Sequence, residues 1–216
     1  QPGRAVSQKL RKLLQWLGCN DDTITKLTFD VMRINEGVQV AERNIEVPTF
    51  ETTTLPADAV KITDIKEFNK FSMAVLEYMA VRNLNLDDTT YYWSPSLAYR
   101  DRLIIPFYYE NRIIGSTART ITADKKPKYL NDQQAGFVYG LDNQTYDKEF
   151  AILVEGPMDA IHIQGMALGG SEINDAQALL INKLGKDIVV VPDRDHAGKK
   201  LVEDAIGRGW GVSMPE

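Results

Sequence analysis

The chain has 216 residues, a net charge of −5, 44% apolar residues and 25% charged residues. That length allows one domain or two small ones, and the apolar share suffices for a packed core, which excludes wholesale disorder. No apolar run approaches the roughly 20 residues of a bilayer-spanning helix, and a single Cys (Cys19) with two His (His162, His196) can form neither an internal disulfide nor a four-ligand zinc site.

The start, Gln1-Pro-Gly-Arg4, has no Met and no secretory pattern, so the expectation is a cut inside a longer protein. The lone cysteine favours a reducing compartment, the cytoplasm. Any metal would have to be a hard cation on carboxylates. Charge is unevenly spread. Residues 1–20 carry +4 with no acid, residues 100–128 carry another +4, and the remaining 167 carry −13. An acidic body with two basic segments suits both a metal site and a polyanion, although the counts are equally compatible with charges that simply scatter.

In chain order, Leu10, Leu13, Leu14 and Leu17 share one face of a predicted helix over 7–17, with Gly18 as its stop. Residues 20–65 show no helical period and read as a loop or short-strand connector. Helical spacing returns over 66–82, where Phe68, Phe71, Val75, Tyr78 and Met79 form a stripe suited to packing. Residues 102–109 and 112–119 are β-branched and aromatic, with Glu110-Asn111 as a hairpin turn. Pro106 argues for an edge or a bulge there. From 150 onward short apolar strands (151–154, 166–168, 187–191, 210–213) alternate with helices (157 to about 164, 174–184, 197–206). This alternation specifies a parallel sheet with helices on both faces.

Ligands of open parallel sheets sit at the carboxyl ends of the strands. Glu155 follows the first of these strands, with Asp159 four residues on, and Asp193 and Asp195 follow the third. An Asp-x-Asp in extended chain points both carboxylates to one side. If the strands are neighbours, Glu155, Asp193 and Asp195 converge, and a divalent ion would relieve their repulsion. Acids after strands also serve as helix N-caps, and Asp195 before Ala197 could be one.

Val154-Glu-Gly-Pro-Met-Asp-Ala160 and Val191-Pro-Asp-Arg-Asp-His-Ala-Gly198 resemble the two signatures of the TOPRIM domain of primases, topoisomerases and some nucleases. Upstream, Arg102-Leu-Ile-Ile-Pro-Phe107, Arg112-Ile-Ile-Gly115, Arg119, Pro127-Lys-Tyr-Leu-Asn131 and Tyr139-Gly-Leu141 resemble, in that order, the block preceding TOPRIM in DnaG-type primases. The Glu-Gly-Pro form, with Gly169-Gly170, is nearer the T-even phage primases. The resemblance covers about residues 66–216 and does not extend to residues 1–65.

The resemblance implies an α/β fold: a TOPRIM Rossmann-like parallel sheet with helices on both faces, preceded by a smaller α+β subdomain. Its divisions would be 1–65 (helix and connector), 66–148 (basic α+β subdomain) and 149–216 (TOPRIM). It implies Glu155 and Asp159 as catalytic acids, and Glu155, Asp193 and Asp195 as ligands of Mg²⁺ or Mn²⁺. Arg102, Arg119 and Lys128 would contact template or nucleotide phosphates. Tyr129 could stack on a base, with packing as its plainer use. Lys199, Lys200 and His196 read as solvated surface, His162 as packing, and Cys19 has no assigned role. The implied activity is metal-dependent synthesis of RNA primers on a single-stranded DNA template from ribonucleoside triphosphates, beside a replicative helicase and with no membrane. The family's zinc module and a further downstream acidic motif are not within these residues, so no zinc is expected here and the TOPRIM domain reads as C-terminally truncated. The rival readings are a TOPRIM nuclease using the same acids and a non-catalytic module that docks on DNA or a helicase.

Overall fold

The computed structural model describes residues 8–27, 46–87, 89–145 and 147–214. The first residue of the expected N-terminal helix, positions 28–45 of the expected connector and the last two residues lie outside that set. The chain divides into two compact units, 1–45 and 46–216.

In the first unit, α1 spans Gln8–Trp16. Gly18 ends it in the left-handed region (φ +87°), donating to Gln15 O while Cys19 donates to Leu14 O. This is the glycine-terminated stop its sequence suggests. The connector reading fails just beyond. Residues 21–27 are helical, and the Asn20 side chain caps that turn by accepting from the Thr23 N–H at 2.8 Å. The capping Asn was the missed signal.

The second unit holds two sheets. The antiparallel sheet runs β1 (Val60–Lys61), β2 (Tyr92–Trp93), β3 (Arg102–Tyr109), β4 (Arg112–Thr120) and β5 (Tyr129–Asp132), in that spatial order. The hairpin forms as expected. Glu110 and Asn111 both have positive φ (49° and 60°), the conformation a two-residue turn needs to match strand twist. Pro106 is tolerated because β2 pairs with β3 only at Ile104, leaving the proline beyond its end, and the register shifts at Phe107/Tyr108. Helix α2 (Lys70–Val81) starts later than its apolar stripe suggests. Asn69 and Ser72 form a reciprocal capping box there, so Phe68 falls outside the helix and is exposed.

The second sheet is parallel, in the order β7 (Met166–Ala167), β6 (Phe150–Val154), β8 (Asp187–Val190), β9 (Gly211–Val212). Helices α3 (Pro157–Ile163), α4 (Asp175–Asn182) and α5 (His196–Gly207) connect its strands. One apolar cluster joins the sheets through Phe107, Ile105, Met158, Ile161 and Leu180. A second, with Leu153, Val190, Ile188 and Leu201, belongs mainly to the parallel sheet. Tyr139 and Ala167 exchange main-chain hydrogen bonds (2.8 and 3.0 Å), stitching the two parts at the β7 edge.

Candidate active site between the two sheets

The interior strands β6 and β8 are direct neighbours, with Leu153 opposite Val190. Their carboxyl ends therefore deliver two acids side by side. Glu155 follows β6 directly, and Asp193 follows β8 after Val191-Pro192. The Asp193 N–H donates to Glu155 Oε1 at 3.2 Å. Glu155 is partly buried, and that burial raises its pKa. The Asp193 N–H opposes the rise, while the charges of Asp193, Asp195 and Asp159 add to it. Asp159 lies in the first turn of α3, the helix end where carboxylates are favoured. Gly198 lets α5 approach the Asp193 loop, since a Cβ there would lie 2.0 Å from Asp193 O.

The facing wall comes from β4 and β5. Arg119 pairs with Tyr129 and Thr117 with Asn131, so all four project from one face. Thr117 Oγ1 donates to Asn131 Oδ1 at 2.5 Å. The Arg119 guanidinium is fixed from both sides: Nε donates to Tyr78 OH of α2 at 2.7 Å, and Nη1 donates to Tyr129 OH. Burial works against the Arg119 charge, but these phenolic partners outweigh it and its pKa is raised. Burial likewise raises the Tyr129 phenol.

Between these walls lies a cavity of about 400 Å³, lined by Glu155, Asp159 and Asp193 on one side and Arg82, Arg119 and Lys128 on the other. A second cleft of about 360 Å³ shares the three basic residues and adds Lys125 and Lys126. Arg82 was missed in the sequence. It stands one residue beyond α2, in no motif, and only the fold carries it here.

Two expected site residues are placed elsewhere. Arg102 is 1% exposed and does not line the cavity. Its Nη1 donates to Ala118 O (3.0 Å) and Lys128 O (3.4 Å), and Nη2 to Pro127 O (2.8 Å). A guanidinium given to main-chain carbonyls in a core cannot reach a phosphate, so the expected contact is corrected to a structural one. Asp195 caps α5, accepting from the Gly198 N–H at 2.9 Å, and lies outside the cavity lining. Among the described residues no three His, Cys, Asp or Glu side chains converge as a metal would need, so the expected three-ligand set is not assembled, and Glu155 meets Asp193 through the latter's main-chain N–H. His162, expected in packing, is exposed and hydrogen-bonded at both ring nitrogens.

No family model matches the chain. Among curated proteins, the DNA primase of Aquifex aeolicus is 34% identical over 128 residues, covering 50% of this chain and 26% of that protein. Among solved structures, the RNA polymerase domain of Mycobacterium tuberculosis primase DnaG superposes with a TM-score of 0.55 at 16% identity, covering 72% of each chain. The DnaG primase catalytic domain bound to ssDNA gives 0.52 at 17%, covering 71% of this chain and 68% of that one. This is the DnaG-type primase core fold. The chain spans about a quarter of the length of its Aquifex relative. Within it, the acid pair, the β4–β5 basic wall and the joining apolar cluster form one contiguous region around the cavity.

Proposed function

We propose that this primase core makes RNA primers on single-stranded DNA, and that the cavity between the two sheets is where nucleotides are joined. The observation that carries the reading is the opposition of an acid pair and three basic side chains across about 400 Å³, on a fold shared with primase catalytic domains. One of those relatives was solved with ssDNA, which supports a DNA template as partner here too. Arg82, Arg119 and Lys128 would hold template or triphosphate oxygens, the first two as forks and the last as a point charge. The Tyr129 ring, with the Arg119 guanidinium 4.9 Å above it, offers a stacking surface for a base.

The parallel-sheet half reads as a TOPRIM domain of phage-type form. Its donor set is oxygen only, and the protonated form of Glu155 is favoured by its burial and by its acid neighbours. That is the chemistry a hard cation fits. Mg²⁺ in particular takes one or two carboxylates and completes its shell with water and substrate phosphates, so Glu155 and Asp193 would hold Mg²⁺ or Mn²⁺. Bound there, the ion would supply charge stabilisation for a 3′-hydroxyl attacking an α-phosphate with pyrophosphate leaving. Glu155, with its pKa raised by burial and by its acid neighbours, is placed to take up a proton, and Asp159 shapes the field around it. Ribonucleoside triphosphates would be the substrates and a replicative helicase the partner, with the action in the cytoplasm of a bacterial or phage-infected cell. Among the described residues no helix is long and apolar enough to cross a membrane.

The test is incubation with Mg²⁺ or Mn²⁺, labelled ribonucleotides and a single-stranded template. Short RNA that disappears in Asp193→Ala, with DNA binding kept, is the expected result. Shortened DNA would mean a nuclease, and binding without product in the unaltered protein would mean a docking module.

A further inference from the structure

His162 sits on the exposed side of α3, one turn beyond Asp159, and neither the acid pair nor the basic wall uses it. Its ring has two hydrogen-bond partners, and both are main-chain carbonyls. Nδ1 lies 2.7 Å from Met158 O within its own helix, and Nε2 lies 2.8 Å from Arg82 O, at the end of α2. A carbonyl oxygen can only accept, so each ring nitrogen must donate. Neutral imidazole has one N–H, and only imidazolium has two. The geometry therefore points to a charged histidine that ties α3 to α2.

Arg82 gives the tie its meaning. Its main chain takes the His162 bond, its side chain lines both the cavity and the adjoining basic cleft, and its guanidinium lies 5.6 Å from the Tyr78 ring centroid. Tyr78 in turn accepts from Arg119. We propose that protonated His162 is a positioning residue that holds Arg82 at the cavity rim for nucleic-acid phosphate, an inference that rests on the primase reading for the identity of the ligand.

Two charged side chains bear on the ring: Asp159 on α3, which favours its charge, and Arg82 beyond α2, which opposes it. The Arg82 and Met158 carbonyls raise the His162 pKa above its usual value against the desolvation that would lower it. A raised histidine pKa means that the tie is complete below the ordinary imidazole pKa, about 6.5. It is lost as pH climbs through the folded value. Phosphate binding through Arg82 should weaken over the same interval, although arginine itself does not titrate there.

The experiment uses the whole chain and a fluorescein-labelled single-stranded DNA oligonucleotide at constant ionic strength. In ring ¹⁵N spectra, with His196→Gln for assignment, both His162 nitrogens should carry protons at pH 6, and the ring should titrate above its ordinary value. The Asn83 amide, attached to the Arg82 carbonyl, should shift along the same curve. His162→Gln, which has one donor nitrogen, should weaken oligonucleotide binding about threefold at pH 6. It should also remove the part of the pH dependence that separates it from the unaltered protein. In an Arg82→Ala background the same change should have no further effect, because the histidine acts through Arg82. An unshifted titration, an Asn83 amide that ignores it, or an equal loss in the Arg82→Ala background would each overturn the proposal. If the oligonucleotide fails to bind at any pH, the primase reading falls, while the ring and the Asn83 amide still decide whether the tie exists.

Discussion

Replacing Arg102 separates a structural guanidinium from a phosphate-binding one. Arg102→Met keeps the apolar stem and removes the three donor contacts to Ala118, Pro127 and Lys128. The Lys128 carbonyl keeps a second donor in the Thr120 N–H at 3.0 Å, and its arginine contact is the longest of the three, so it loses little. The other two contacts are the substantial ones, and hydrogen bonds from a charged donor contribute roughly 1.5–3 kcal/mol each. Part of that sum returns, because methionine no longer holds a buried cation without a carboxylate partner. A net loss of about 3 kcal/mol follows for Arg102→Met. For a domain of this size that lowers Tm by about 6–12 °C. Urea unfolding followed by tryptophan fluorescence, with calorimetry, reads it directly. Single-stranded DNA affinity should fall only to the extent that the loop bearing Lys128 loosens. An Arg102→Met protein within about 0.5 kcal/mol of the unaltered one, yet with DNA binding abolished, would refute this reasoning and return the residue to the phosphate.

Asp195 allows a similar separation. Asp195→Ala should cost about 1 kcal/mol of stability through the lost α5 cap, and Asp195→Asn should restore it. Primer synthesis that survives in Asp195→Asn would confirm the cap role; its loss with stability intact would make the carboxylate a ligand after all. For Glu155, the raised pKa means that the folded state holds a proton the unfolded chain has released, so stability falls as pH rises from the ordinary glutamate range through the folded value. With divalent cations chelated, Glu155→Gln should therefore unfold at higher urea than the unaltered protein at pH 7, with the gain gone below the ordinary glutamate pKa. An equal midpoint at both pH values would remove the acid-field account of this site.

The parallel sheet was legible because each strand is a short apolar run closed by turn residues, and because Glu155 and Asp193 follow those runs directly. Once β6 and β8 are neighbours, nothing further is needed to bring the two acids together. Arg102 could not be read in the same way. A basic residue opening an apolar strand looks identical whether it meets a phosphate or three carbonyls, and only the arrival of residues 127 and 128 from across the sheet decides. Asp195 carried both readings openly, and the Gly198 amide decides between them in this arrangement. Arg82 and His162 had no local signal at all, since their meeting depends on the end of α2 packing against α3, 80 residues apart in sequence. Helical residues 21–27 were missed for a simpler reason: a short helix is announced by its capping Asn rather than by an apolar period.

The spacing of the acid pair has a further consequence. Both acids follow interior strands, each hydrogen-bonded on two sides, so the strand ends from which they leave the sheet are fixed by the backbone ladder. The outer strands β7 and β9 are two residues long and sit at the margins. Sequence drift, insertions or fraying at those margins can accumulate without moving the two strand ends that lead into Glu155 and Asp193, and the chemistry is insulated from the part of the sheet most free to vary.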